Sequence, residues 1–94
     1  MQTKSIYKVP DGKLLKISLV YDEKKKTIEQ INITGDFFAY PEESIEIIEE
    51  KLKNIELKKD ALIDRISSII QEDNIQFIGL NAKGLAKGIL MCVK

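Results

Sequence analysis

Apolar residues alternate with polar ones through the first third of the chain and recur at three- and four-residue spacing through the second half. From Lys13 to Tyr21 the apolar positions Leu15, Ile17, Leu19 and Tyr21 fall at period two, with Lys16 and Ser18 between them, which predicts a half-buried strand. Ile6 and Tyr7 mark a short earlier strand. Pro10-Asp11-Gly12 joins the two, its proline presetting φ and its glycine permitting a tight turn. The polar run Asp22-Glu23-Lys24-Lys25-Lys26 leads to a third strand from Thr27 to Thr34. Ile31 and Ile33 alternate there but Ile28 falls out of phase, which predicts a bulge near Glu29 and Gln30.

Beyond Gly35 the period changes. Pro41 suits the first position of a helix running to about Lys53, and Glu42 and Glu43 complement its positive end. Ile45, Ile48 and Leu52 form its apolar stripe, Glu49 and Lys53 an exposed pair, and Asn54 its close. Asp60 is placed to cap a second helix with Leu62, Ile63, Ile66, Ile69 and Ile70 inward and Asp64 and Arg65 in water. Glu72-Asp73-Asn74 ends it, and Ile75, Phe77 and Ile78 form a connector to Gly79. Asn81 caps a last helix with Ala82, Leu85, Ala86, Ile89 and Val93 on one face. The prediction is an α+β domain spanning residues 1–94: a small antiparallel meander of about three strands, then about three helices packed on one face.

Composition narrows the function classes. The chain has 94 residues, with 15 basic and 15 acidic side chains and a net charge of zero, so it lacks the global basic field that drives nucleic-acid binding. No apolar stretch approaches the roughly 20 residues that span a bilayer, and no signal-peptide pattern follows Met1, so a cytoplasmic location is expected, with no membrane partner. Cys92 is the only cysteine and histidine is absent. An internal disulfide is therefore impossible, and the usual zinc and iron-sulfur ligand sets cannot be assembled.

Three of the six aromatic residues lie within positions 37–40. In the corner Gly35-Asp36-Phe37-Phe38, glycine permits the turn, aspartate can bond nearby amides, and one ring can fill the space between sheet and helix. Adjacent residues of an extended segment point in opposite directions, so the other ring, or Tyr40, is left free to dock on a partner. Lys8 and Lys13 bracket the first turn, either as ordinary turn residues or as a mobile basic loop reaching a phosphate or an acidic surface. With so few glycines and no following helix, that loop could only assist a site built elsewhere. Gly84 and Gly88 share one face of the last helix, which either packs tightly on the chain's own sheet or lies open to a partner. Cys92 reads as a small apolar residue. The run Glu42, Glu43, Glu46, Glu49 and Glu50 reads as the solvated face of an amphipathic helix rather than an acid-base pair. No nucleophile-base pair, metal set or glycine-rich phosphate loop is present, so the catalytic, cofactor and metal residues are expected to number none.

The segment Tyr7-Lys8-Val9-Pro10-Asp11-Gly12-Lys13, the alternating strand, the basic turn, the strand from Ile28 to Thr34, the corner Gly35-Asp36-Phe37-Phe38 and Pro41-Glu42-Glu43 together resemble the accessory domain of lipoate-protein ligases. In most bacterial members that domain is the C-terminal part of one long chain. Standing by itself here, the segment is similar to the small subunit of the bipartite ligase of archaea. The resemblance implies a non-catalytic but required subunit of an ATP-dependent ligase. Its partner would be a large catalytic subunit carrying ATP, Mg and lipoate, and lipoyl-acceptor domains would be met indirectly. It also implies that no cofactor is bound by this chain alone. The accessory fold is similar to that of iron-sulfur scaffold and sulfur-acceptor proteins, which leaves a carrier role, or an adaptor for another enzyme, as the alternative. A lone Cys92 cannot hold a cluster.

Overall fold

A computed structural model describes residues 1–10 and 12–93. Strands β1 (Gln2–Lys8), β2 (Leu14–Asp22) and β3 (Thr27–Gly35) form an antiparallel sheet in that order. Leu15, Ile17, Leu19 and Tyr21 turn to one side of β2 and are buried, as the period-two pattern requires. β1 is longer than Ile6 and Tyr7 alone indicated. It begins at Gln2 because Thr3 and Ser5 continue the pairing with β2 opposite Leu19 and Ile17. Asp11, the centre of the first turn, lies outside the described residues.

The bulge falls where the phase break placed it. Val20 pairs with Gln30 and Tyr21 with Ile28, so Glu29 is the extra residue. That insertion returns Ile28 to the buried face beside Tyr21, and neither side chain keeps more than 1% of its surface in contact with solvent. Each such aliphatic burial contributes about 1.5–3 kcal/mol.

Helices α1 (Ser44–Lys51), α2 (Lys59–Glu72) and α3 (Ala82–Leu90) cover this face. α1 and α3 lie on the sheet, and α2 packs on α3 and α1. Ile48, Leu52, Leu62, Ile66, Ile69, Leu85 and Ile89 join the strand residues in one core. Asn81 caps α3 as its position indicated, its side-chain oxygen accepting from the Gly84 N–H at 2.6 Å.

Four local expectations are corrected. Pro41 is not the first helical residue; Ser44 is. The Ser44 hydroxyl and N–H both donate to the Pro41 carbonyl, at 2.6 and 3.0 Å, so a turn is completed before α1 starts. Asp60 lies in the first turn of α2 rather than at its cap, which is Lys58 with no side-chain bond. Glu49 does not pair with Lys53. Its carboxylate accepts the Ile33 N–H of β3 at 2.7 Å, while Lys53 pairs with Glu50 at 3.0 Å. The acidic run on α1 is thus solvated except at Glu49, which holds the helix on the sheet edge. Finally, the connector at Ile75–Ile78 is a strand. β5 (Gln76–Ile78) pairs antiparallel with β4 (Phe38–Tyr40) in a second, two-stranded sheet.

Candidate functional site

The two segments singled out in the sequence meet at one end of the molecule. At the β1–β2 turn, the Val9 N–H donates to the Lys13 carbonyl and the Gly12 N–H to the Val9 carbonyl. Lys13 then donates its own N–H to the Gly79 carbonyl at 3.0 Å, tying the turn to the end of β5. On the other side, the Asp36 N–H donates to the Leu14 carbonyl at 3.0 Å, tying the corner to the start of β2. A β-carbon on Gly35 would collide with that same Leu14 carbonyl, a backbone atom with no room to yield. Glycine is thus required for the corner to close on the turn.

Lys8 and Lys13 are both exposed here. The loop they bracket is anchored at both ends. Val9 is buried, and the backbone on both sides of the turn is hydrogen-bonded. The Lys13 stem lies over Gly79, where an added β-carbon would come within 2.5 Å of Lys13 Cγ. The Asp36 side chain is exposed.

The aromatic residues divide by strand alternation. Phe37 is half-buried and meets Phe77 edge to face, ring centroids 6.3 Å apart at 87°. In β4, Ala39 stands opposite Phe77 on the inner face. Phe38 and Tyr40 therefore share the outer face, where Phe38 is 61% and Tyr40 52% exposed. Ile78 pairs directly with Phe38 and is itself 56% exposed. These three side chains form an apolar surface with Glu42 and Glu43 following in the chain at one margin and Lys13 at the other. An apolar centre with a charged rim is the anatomy of a protein-binding patch.

Ile78 and Phe77 were missed as contributors. The alternation Ile75 in, Gln76 out, Phe77 in, Ile78 out, broken by Gly79, is a period-two signal, but it is too short to separate from a loop without its partner strand.

Gly84 and Gly88 belong elsewhere. Both are buried against the chain's own sheet: a β-carbon at Gly88 would lie 2.7 Å from Leu15 Cδ2, and one at Gly84 3.0 Å from Val9 Cγ1. Their face of α3 is the close-packed one, and the open-partner reading is withdrawn. The bared glycine backbone is used within the fold, since the Ser5 hydroxyl donates to the Gly88 carbonyl at 2.8 Å. Cys92 is buried beside it, its Sγ 3.3 Å from Ser5 Oγ.

Among the described residues, no three His, Cys, Asp or Glu side chains gather as a metal site, and no helix is long and apolar enough to cross a membrane. A surface hollow of about 310 Å³ between β3 and α1 is lined by Glu29, Glu46, Glu49 and Glu50, with Lys53 also at its wall.

Comparison with known proteins bears on the family and the fold. Residues 13–87 match the family model for the C-terminus of bacterial lipoate protein ligase. Among solved structures, a chain from the structural analysis of the archaeal lipoylation system of Thermoplasma acidophilum, a bi-partite lipoate protein ligase and its E2 lipoyl domain, superimposes with a TM-score of 0.79. It is 25% identical, over 95% of this chain and 94% of that one. No match was found among curated protein sequences.

Proposed function

The chain belongs to the family of lipoate protein ligase C-terminal domains, and from that premise we propose that it is the accessory subunit of a two-chain, ATP-dependent lipoate-protein ligase. In this reading it binds a separate catalytic subunit that carries the ATP, Mg and lipoate sites. Its binding favours the arrangement in which lipoate is activated to lipoyl-adenylate, before transfer of the lipoyl group to a lysine of an acceptor domain. The physical form of such help is a bound partner biasing a conformational equilibrium by its differential affinity for the active state.

The outer face of β4–β5 carries the proposal. Phe38, Tyr40 and Ile78 are displayed on a short sheet that is pinned to the rest of the fold at Lys13–Gly79 and Asp36–Leu14. Large rigid side chains on a fixed support lose little entropy on docking, and aromatic anchors of this kind commonly dominate binding energy. A cluster or sulfur carrier is disfavoured by a cysteine that is single and buried.

Replacing Phe38 and Ile78 together by serine tests the reading. Neither side chain is core, so the melting temperature stays within a few degrees. Affinity for the catalytic subunit, measured by calorimetry, falls by at least tenfold, the loss of about 1.4 kcal/mol or more expected for a central anchor. Unchanged affinity in the folded double variant would move the interface off this face.

A further inference from the structure

The fold treats the two edges of its three-stranded sheet differently. Along β3 the edge is covered: Glu49 accepts the Ile33 N–H, Ile28 bonds through its N–H to Ile55 and through its carbonyl to Asn54, and Thr27 bridges to Glu56. Along β1 it is open. Met1 and Tyr21 exchange both backbone bonds, and the Val9 N–H reaches Lys13, so the odd-numbered residues of β1 direct their N–H and carbonyl groups at β2. The backbone groups of Gln2, Lys4, Ile6 and Lys8 therefore point outward. Among the described residues, nothing bonds to them.

The adjoining face of the sheet, away from the helices, defines the chemistry that would fit. Its cross-strand rows Lys4–Ser18–Asn32 and Ile6–Lys16–Thr34 contain lysines and no carboxylate, while Lys8 pairs with Leu14, whose carbonyl accepts from Asp36. On β1 itself Lys4 and Lys8 are the charged side chains, and both are exposed. Ile6, 63% exposed, lies between the lysines. Two copies pairing through β1 would set these lysines against one another, the usual protection of an edge strand against self-association. An acidic strand meets them with opposite charge and with a full set of backbone partners.

We propose that β1 accepts an extended acidic segment of the catalytic subunit as a fourth strand of the sheet. The proposal rests on the subunit reading above. The edge runs into the end of the molecule that carries the β4–β5 patch, through the Lys8–Leu14 pair and the Leu14–Asp36 bond, so one partner can cover both.

Two variants test it against the purified catalytic subunit by calorimetry at low and high salt. Ile6→Pro removes an outward N–H and leaves the ladder to β2 intact. Lys4→Glu with Lys16→Glu reverses the face charge at exposed positions and remains informative should the proline variant fail to fold. Each is expected to weaken binding at least tenfold with the fold retained by circular dichroism, and the charge variant is expected to lose the wild-type sensitivity to salt. Affinities within twofold of wild type for the folded variants overturn the edge proposal while leaving the subunit reading intact. Dimerisation of the wild-type chain that Ile6→Pro abolishes overturns the choice of occupant. A wild-type chain that does not bind the catalytic subunit overturns both readings.

Discussion

Phe37 and Phe38 are the same residue type in adjacent positions, yet strand alternation gives one to the core and the other to the surface. That division was legible in the sequence, because opposite pointing of neighbours belongs to any extended segment. Which ring goes inward depends on Phe77, about forty residues later, and no local pattern reports it. The same limit applies to Gly84 and Gly88. Helical spacing puts them on one face, but only the fold shows that Val9 and Leu15 occupy it. The divided roles predict divided phenotypes. Phe37→Ala should lower stability on the order of 2 kcal/mol, about half the cost of truncating a fully buried ring, and thus the melting temperature by roughly 8–16 °C. Measured well below its melting point, the folded fraction should keep its affinity for the catalytic subunit. A Phe37→Ala protein as stable as wild type would contradict the placement of this ring.

At the scale of elements, strong periodicity was read correctly and short-range chemistry less so. The three long strands, the bulge at Glu29 and the cap at Asn81 each leave a local mark: alternation, a phase slip, a side chain suited to a free N–H. β4 and β5, three residues each, leave almost none, since their pairing supplies the structure and the partners are distant in sequence. Helix starts were misplaced because Ser44 does its bonding backward to Pro41 and α2 begins without a side-chain cap. Lys51 shows a further contact that spacing cannot reveal. At the end of α1 it bonds Asp73 at 2.8 Å and lies 3.6 Å from Glu72, both at the end of α2, while Arg65 donates to its carbonyl. The hydrogen bond to Asp73, outweighing the cost of desolvation, raises the Lys51 ammonium above its ordinary value of 10.5. A raised lysine stabilises the fold fully below its unfolded value and loses that contribution as pH climbs through the folded one. Urea titrations of wild type and Lys51→Met should therefore differ by a constant amount from neutral pH to about pH 10 and converge in more alkaline solution. A gap of equal size on both sides of the lysine range would show that the ammonium contributes nothing and that Lys51 acts through its stem alone.

Seen as a whole molecule, the chain brings its turn at residues 9–13 and its corner at 35–38 into one structure and displays an apolar face beside them. The α+β architecture and the helices on one side of the sheet were legible because each element carries its own periodicity. The composition of the patch was legible only in part, since Ile78 joins it through β-pairing. The proposed function is association, carried by the outer face of β4–β5. The measurement that bears most directly on this account is lipoyl-adenylate formation by the catalytic subunit, titrated with this protein. The account predicts that adenylation rises with added protein and saturates at one equivalent, and that the Phe38→Ser, Ile78→Ser double variant shifts the titration to higher concentration. An active catalytic subunit whose adenylation rate is indifferent to the addition would contradict it.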